Sequence, residues 1–286
     1  MIRMIRRFIV GCMAAVLLGG LSFSSAGAQT ISGQDAAQAL MLLPFQVEYQ
    51  AAVGEAKSTL LHVTPPPANP DIWDVSAAEK RLVWNGEPGT GQVLVTTFTK
   101  GAYYSSYAPG QTFNAGADLW VVPAPEMYTE VKALNPVGAS LTPRLATEQY
   151  LGLPPDSKTP NDTVVSLWVS PSNLVRPAID PGVDSHELVT SFPVTMQSVP
   201  LTPAPTVPRD SPGPGQPATS SYASWFLERE ASIFDTPGGS YPWTGLGYTY
   251  NWTPGAASVV GGSEYVIPHG SPVTLKDATP ISTYYK

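Results

Sequence analysis

Proline and glycine are the residues that most restrict the fold of this chain, with 31 prolines and 25 glycines among 286 residues. Proline has no amide hydrogen to donate and its ring clashes with the preceding helical turn, so these residues work against long helices. Charged residues make up only 13% of the chain, about half of the usual share. This composition predicts a mostly β fold, either a sandwich or an irregular barrel, with two or three short peripheral helices.

The first 28 residues have the three parts of a secretory signal peptide. Arg3, Arg6 and Arg7 precede an apolar run over residues 8–21, and the small residues 26–28 follow it. A positive segment, a short apolar segment and small residues at the cleavage position are the features that the export machinery reads. We therefore expect a mature chain that begins near Gln29 and a periplasmic or secreted location.

Three other interpretations of this leader are weaker. Residues 9–12 end in Cys12 as a lipoprotein cleavage site does, but most of the apolar run follows that cysteine instead of preceding it. The pair Arg6 and Arg7 also occurs in twin-arginine signals, but Ile5 and Phe8 fit that pattern poorly. A permanent anchor needs about 20 apolar residues, which is more than this run provides. We expect a soluble mature protein without membrane insertion.

Charge and cysteine content exclude several classes of partner and chemistry. The whole chain has a formal charge of −7, and the leader contributes three positive charges and no negative one, so the mature chain carries −10. An acidic surface repels phosphate groups, and we expect no nucleic-acid partner. Cys12 is the only cysteine and leaves with the leader, so the mature chain forms no disulfide and has no thiol chemistry.

The 258 residues after the leader (286 minus 28) are enough for one large β domain. Residues 193–221 contain eight prolines and few aliphatic residues, which is typical of an extended, solvent-exposed segment. We expect residues 29–286 to form a single β-rich domain whose last strands return to the first sheet. The alternative is two units, residues 29–192 and 222–286, joined by the proline-rich segment.

Apolar patterns and end signals predict individual elements. A helix is expected over residues 35–43, where Pro44 ends it, and another over residues 222–234. Thr142 as the N-cap, Pro143 at the first helical position and Gly152 beyond the end predict a third helix, whose narrow apolar side places it on the surface. Runs rich in β-branched and aromatic residues predict a hairpin of 82–84 with 92–99, and strands at 118–122, 163–169, 241–252, 264–267 and 272–276.

Aromatic residues form two candidate glycan-binding surfaces. Tyr248, Tyr250 and Trp252 alternate along one predicted strand and share one of its faces. Rings that face outward could stack on sugars, whereas rings that face inward belong to the core, which is the favoured interpretation because an apolar stripe in water promotes aggregation. The second surface is a glycine-bounded loop, in which exposure is expected, with Tyr103, Tyr104 and Tyr107.

An acidic segment is the one candidate metal site. Asp180, Asp184, His186 and Glu187 place three carboxylates and an imidazole within eight residues. Oxygen-rich loops of this kind can bind Ca²⁺, although the spacing does not match an EF-hand. The favoured alternative is an ordinary acidic turn whose aspartates accept hydrogen bonds from nearby amides. With neither a phosphate loop nor a dinucleotide fingerprint in the sequence, we expect no other cofactor.

Motifs for nucleophilic catalysis are absent from the sequence, which contains no Gly-x-Ser-x-Gly, Ser-x-x-Lys or His-Glu-x-x-His pattern. A glycosidase with paired carboxylates stays open, because its two acids can come from any two strands. The candidates for such a pair are Glu87, Glu126, Glu148 and Asp235.

Two functions follow from these patterns. The first is a non-catalytic binding or structural role in the cell envelope, in which exposed aromatic residues recognise a glycan or another envelope component. The second is a carboxylate-dependent hydrolase that acts on polysaccharide or peptidoglycan. The binding role predicts an open aromatic surface, whereas the hydrolase predicts a cleft where two acids converge and one of them has a raised pKa.

Overall fold

The structure is a computed structural model that describes residues 33–60, 72–134, 142–155, 160–186, 206–208, 219–234 and 241–286. The predicted signal peptide, Glu187 and Asp235 lie outside the described residues. The compact unit that carries the sheet and the pocket extends from Met41 to Lys286.

A seven-stranded antiparallel sheet forms the centre of this unit, with six strands in the order β10-β4-β2-β5-β11-β3 and β1 paired to the start of β2. Two short ladders, β6 with β7 and β8 with β9, lie outside it. The strands are β1 (Trp84–Asn85), β2 (Gln92–Thr99), β3 (Thr112–Asn114), β4 (Leu119–Pro123), β5 (Thr163–Val169), β6 (Thr206–Pro208), β7 (Thr219–Ser221), β8 (Tyr248–Tyr250), β9 (Val260–Ser263), β10 (Tyr265–Ile267) and β11 (Pro272–Pro280).

The central pair of strands, β2 and β5, is buried on both faces. Val95 pairs with Leu167 and Phe98 with Val164 in an antiparallel register. Odd-numbered residues such as Val95 and Leu167 pack into the main core cluster, while Phe98 and Val164 pack on the opposite face. Because side chains alternate along a strand, a central strand covered on both faces carries apolar residues at both odd and even positions. The strands predicted at 92–99 and 163–169 are confirmed. The predicted hairpin also forms, but its first strand is Trp84–Asn85 instead of residues 82–84.

Five α-helices surround the sheet in the described part of the chain. They are α1 (Gly33–Leu60), α2 (Ala124–Leu134), α3 (Pro143–Tyr150), α4 (Tyr222–Phe234) and α5 (Ile281–Tyr284). The predicted sheet-rich fold is therefore confirmed only in part, since the sheet is not a closed barrel and helices make up about a third of the structure, at 32% against 27% strand. The expectation of short helices fails most clearly at α1.

Helix α1 continues for 28 residues and contains Pro44, which the sequence analysis placed at its end. Proline removes one hydrogen bond from a helix but leaves the following turns free to form. Those turns have a reason to form, because Tyr49, Ala52 and Val53 pack against Trp252 in one apolar cluster. Tertiary packing on this face explains why the helix extends beyond its proline.

Helix α3 has the predicted bounds, but the prediction that it lies on the surface is wrong. Thr142 accepts a hydrogen bond from the Leu145 amide at 3.2 Å, as an N-cap does, yet all residues from Leu145 to Tyr150 are buried. The helix is covered on more than one side. Leu145 packs in the cluster of α1, and the Thr147 hydroxyl lies 2.9 Å from that of Tyr285, near the C-terminus. The width of a helix's apolar face is a poor guide to its burial when its polar residues form hydrogen bonds or ion pairs inside the protein.

Three further expectations concern the second half of the chain. Helix α4 matches the predicted 222–234, whereas the predicted strand over 241–252 is reduced to the three residues of β8. Two short pieces of the proline-rich segment pair with each other as β6 and β7. Strands β10 and β11 join the same sheet as β2 and β5. In the residues that the structure covers, no helix is both long and apolar enough to cross a bilayer.

Candidate functional site

A pocket of about 320 Å³ lies between one face of β2 and β4, the end of α3, helix α4 and the segment that leads into β8. Its walls are mostly apolar. Five aromatic rings line it, namely Phe98, Trp120, Tyr241, Trp243 and Tyr250. The polar side chains in its lining are Thr96, Thr97, Arg229, Thr249 and Glu264. A concave, apolar pocket with a few polar groups is the usual form of a small-molecule site.

Glu264 is the carboxylate of the pocket wall. It stands between β9 and β10, where its amide donates a 2.9 Å hydrogen bond to the Gly247 carbonyl and fixes the backbone. The residue is only 8% exposed. Burial raises its pKa well above the usual range, and the nearby indole N–H of Trp243 opposes that shift. Within the described residues, neither Glu264 Oε2 nor Trp243 Nε1 has a partner in hydrogen-bond geometry.

Helix α4 holds the aromatic walls in place. Trp120 and Trp243 meet edge to face, with centroids 6.2 Å apart and rings at 90°. Behind them, Trp225 stacks on Trp120 at 6.5 Å and Phe226 contacts Trp243 at 4.9 Å. Edge-to-face and offset contacts of this kind add stability beyond the area they bury. The two indoles that face the pocket are therefore rigid before any ligand arrives.

Arg229 brings a positive charge to the pocket, and that charge is paired. Its Nη2 lies 3.0 Å from Oδ2 of Asp118, whose side chain is 2% exposed. The same carboxylate accepts hydrogen bonds from Trp225 Nε1 at 2.9 Å and from the His269 amide at 3.0 Å. Asp118 thus joins α4 to the sheet and neutralises the guanidinium.

A close backbone contact connects the pocket to helix α3. The Thr249 hydroxyl donates to the Tyr150 carbonyl at 2.7 Å and accepts from the Gly262 amide at 2.8 Å. Side chains do not fit here, because a Cβ on Gly261 would overlap the Thr249 hydroxyl and the Tyr150 carbonyl oxygen. The glycine pair before Ser263 therefore allows β9 to approach α3 and places Glu264 at the pocket.

A second buried acid, Glu126, lies in the first turn of α2. Its Oε1 accepts 2.9 Å hydrogen bonds from the amide and the hydroxyl of Ser263, while its Oε2 has no partner in the described part of the chain. Burial raises its pKa to about 8, and the two hydrogen bonds from Ser263 oppose the shift. Glu126 does not line the pocket.

The first predicted aromatic surface lies inside the protein. Tyr248, Tyr250 and Trp252 are 9%, 6% and 4% exposed. Trp252 donates to the Leu153 carbonyl at 3.0 Å and packs edge to face on Tyr49 of α1. Of the three rings, Tyr250 alone lines the pocket. This stripe takes the position of core residues, and the long helix that covers it was the element the sequence analysis shortened.

The three tyrosines of the second predicted surface differ in their exposure. Tyr103 is 65% exposed and Tyr104 only 7%. Tyr107 is half-buried and stacks on Phe113, with ring centroids 4.1 Å apart. One tyrosine of the three is thus freely accessible, and a single ring offers little area for stacking on a sugar.

The acidic segment forms a turn. Asp180 Oδ1 accepts from the Gly182 amide at 2.9 Å, and Asp184 is exposed. His186 Nδ1 lies 3.5 Å from Asp74 Oδ2, a carboxylate outside the predicted set. Glu187 belongs to the undescribed residues, and no group of three or more potential metal ligands comes together among the described ones. The Ca²⁺ site stays a prediction.

The described candidates for the acid pair lie outside the pocket lining. Glu87 is exposed in the β1–β2 turn, and buried Glu148 pairs with Arg144 at 3.0 Å. Neither they nor Glu126 line the pocket, whose described wall contains the carboxylate of Glu264. The sequence analysis included residue 264 in a strand but did not single it out. A sequence signal was present, because a lone acid directly before the apolar run Tyr265–Ile267 is unusual in a buried strand.

Comparisons of the chain with protein-family models, with curated proteins and with solved structures found no match. The chemistry of the pocket is therefore the guide to function.

Proposed function

We propose that this is an exported, non-catalytic binding protein of the cell envelope, and that it binds a small, largely apolar ligand in the pocket beside Glu264. The observation that carries the proposal is a pocket of about 320 Å³ with rigid aromatic walls and one buried carboxyl group. Pockets of roughly 300 to 1,000 Å³ suit small molecules.

The pocket is a better candidate than a flat glycan-stacking surface. Tyr248 and Trp252 are covered by protein, and Tyr103 stands alone at the surface. The pocket instead groups several rings around one space, where a ligand can bury most of its surface. Aromatic residues therefore still bind the ligand in this proposal, but they do so in a cavity instead of on an open face.

The hydrolase remains the second candidate from the sequence, and the pocket supports it less well. Two-carboxylate hydrolysis requires acids about 5 to 10 Å apart on either side of the scissile bond. The described pocket wall contributes a single carboxylate, that of Glu264. A raised pKa suits a general acid, but one acid does not supply the nucleophile or base that the mechanism also needs.

Tryptophan fluorescence tests the proposal, because Trp120 and Trp243 line the pocket. The mature chain would be titrated with three small probes of similar size, 2-phenylethanol, phenethylamine and phenylacetate. We expect saturable 1:1 binding of at least one probe. Ile233→Trp fills the pocket from α4 and should weaken that binding by about tenfold or more.

Leu227→Trp is the matched control, since Leu227 lies on the same helix, is 45% exposed and does not line the pocket. This variant should bind the probe as the unmodified protein does. Saturable binding that survives Ile233→Trp, or no saturable binding of any probe, contradicts the proposal.

A further inference from the structure

The pocket contains a buried carboxyl group in a wall that is mostly apolar. Glu264 is 8% exposed, and its Oε2 lacks a hydrogen-bond partner among the described residues. A buried polar group without a partner lowers the stability of the folded chain. Stability therefore does not explain Glu264, whereas a ligand that engages the carboxyl group does.

The cations near this part of the structure already have acidic or carbonyl partners. In the pocket lining, Arg229 is ion-paired with Asp118 at 3.0 Å. Behind the wall, Arg176 packs against Gly247 and donates to the carbonyls of Asp180 and Ser185 at 3.3 and 2.6 Å. The other ionisable groups of the pocket lining are the phenols of Tyr241 and Tyr250, and helix α4 also carries Tyr222, Glu228 and Glu230.

The aromatic rings around Glu264 are suited to a cation. Trp120 and Trp243 stand at 90° to each other, and Tyr250 lines the same space. The face of an aromatic ring carries negative charge density and attracts an ammonium group within about 6 Å of its centre. Rings and a carboxylate together are a recurrent arrangement for recognising organic ammonium ions.

Building on the proposed function, we propose that the ligand is an organic cation, an ammonium group carried on a small apolar body, and that Glu264 is its counter-ion. The aromatic walls contact the apolar body and the ammonium group, and the carboxylate of Glu264 accepts a hydrogen bond from the ammonium where it has an N–H. A neutral or anionic ligand of the same shape lacks this partner and binds more weakly.

Binding of the cation is coupled to the release of a proton. Burial raises the pKa of Glu264 well above its usual range, which favours the protonated carboxyl group in the free protein. When the ammonium ion enters, the O–H bond of the carboxyl group breaks and the proton leaves to solvent. One positive charge enters and one leaves, so the charge of the pocket is unchanged.

Calorimetry on the mature chain tests this inference with the same three probes near pH 7, where phenethylamine is a cation, 2-phenylethanol is neutral and phenylacetate is an anion. We expect phenethylamine to bind about tenfold or more tightly than the other two. Titration in two buffers of different ionisation enthalpy should show that protons are released when phenethylamine binds. Glu264→Gln should abolish both the preference and the proton release while still binding 2-phenylethanol.

The possible results separate the two proposals. Equal or tighter binding of 2-phenylethanol or phenylacetate overturns the cation inference and leaves the binding function standing. Preferred binding of phenethylamine that persists in Glu264→Gln also overturns it, because another group then supplies the counter-charge. If none of the probes binds, both proposals fail.

Discussion

Two buried glutamates occupy neighbouring regions of this protein, and their surroundings differ. Glu126 is buried in the first turn of α2, where its Oε1 accepts hydrogen bonds from both the amide and the hydroxyl of Ser263. Glu264 follows Ser263 directly and lines the pocket, where no described residue is a hydrogen-bond partner of its Oε2. The first acid connects a helix to a strand, whereas the second faces a space that a ligand can enter.

This difference shows that a raised pKa alone does not identify a functional acid. Burial is the largest cause of the shift in both residues. Glu126 is also a structural residue, since Ser263 holds its carboxyl group and Ser263 in turn accepts a 2.7 Å hydrogen bond from the Trp73 amide. Glu264 becomes a candidate because it lines a pocket, which Glu126 does not.

The largest expected effect is a loss of stability with rising pH. The Glu126 carboxyl group has a pKa of about 8 in the folded chain against an ordinary value of 4.5. Below pH 4.5 the carboxyl group is protonated in both the folded and the unfolded chain. Above that pH, unfolding releases a proton, so higher pH favours unfolding until the group also ionises in the folded chain near pH 8. This one group lowers the free energy of unfolding by roughly 1.4 kcal/mol for each pH unit in that window.

Urea denaturation of the protein between about pH 5 and 8 measures this loss. Glu126→Gln cannot ionise at this position, so the free energy of unfolding should fall less steeply with pH, by the contribution of one group. Glu264→Gln should also make this fall less steep, because the pKa of Glu264 is raised as well. A slope that neither variant changes would show that both acids are ionised in the folded protein.

Alanine substitutions near pH 5 separate the two acids by their hydrogen bonds. Glu126→Ala leaves the amide and hydroxyl of Ser263 without their acceptor and opens a cavity, so we expect a loss of about 3 kcal/mol in the free energy of unfolding. Glu264→Ala removes no such bond and enlarges an existing pocket, so its expected cost is below about 1 kcal/mol. Near pH 5 the ionisation of either acid contributes little.

Glu126→Gln is the control for this pair, because an amide oxygen can still accept both hydrogen bonds. It should recover most of the stability that Glu126→Ala loses. Equal losses for the two alanine variants would remove the distinction between a structural and a pocket acid.

Local signals in the sequence were sufficient for the elements that depend on local chemistry. Thr142 and Pro143 define the start of α3, and the β-branched run of β2 defines a central strand. The same signals did not indicate what covers each element. Helix α3 is buried because α1 and the C-terminal residues pack against it, and contacts between segments about 100 residues apart leave no trace in an eight-residue pattern.

The pocket was less predictable for the same reason. Its residues come from β2, β4, the residues that follow α3, helix α4 and the segments near β8 and β10, and neither spacing nor a motif connects them. Glu264 had a weak local signal as an acid next to a strand, but that signal does not distinguish an edge position from a buried one. Glu87 and Glu148 were equally plausible candidates in the sequence. Only the fold shows that Glu87 is exposed and that Glu148 is ion-paired.

The smallest expected effect concerns the indole of Trp243, which is the group that lowers the pKa of Glu264 against the effect of burial. Trp243→Phe keeps an aromatic wall but removes this N–H, so the pKa of Glu264 should rise further while the free energy of unfolding near pH 5 changes by less than about 1 kcal/mol. The side-chain carboxyl carbon of Glu264, followed by NMR during a pH titration, reports this pKa. Trp120→Phe is the control, since Trp120 also lines the pocket and is not a cause of the shift. If the titration midpoint moves equally in both variants, a change in burial causes the effect. If the midpoint falls in Trp243→Phe, the indole N–H does not stabilise the carboxylate.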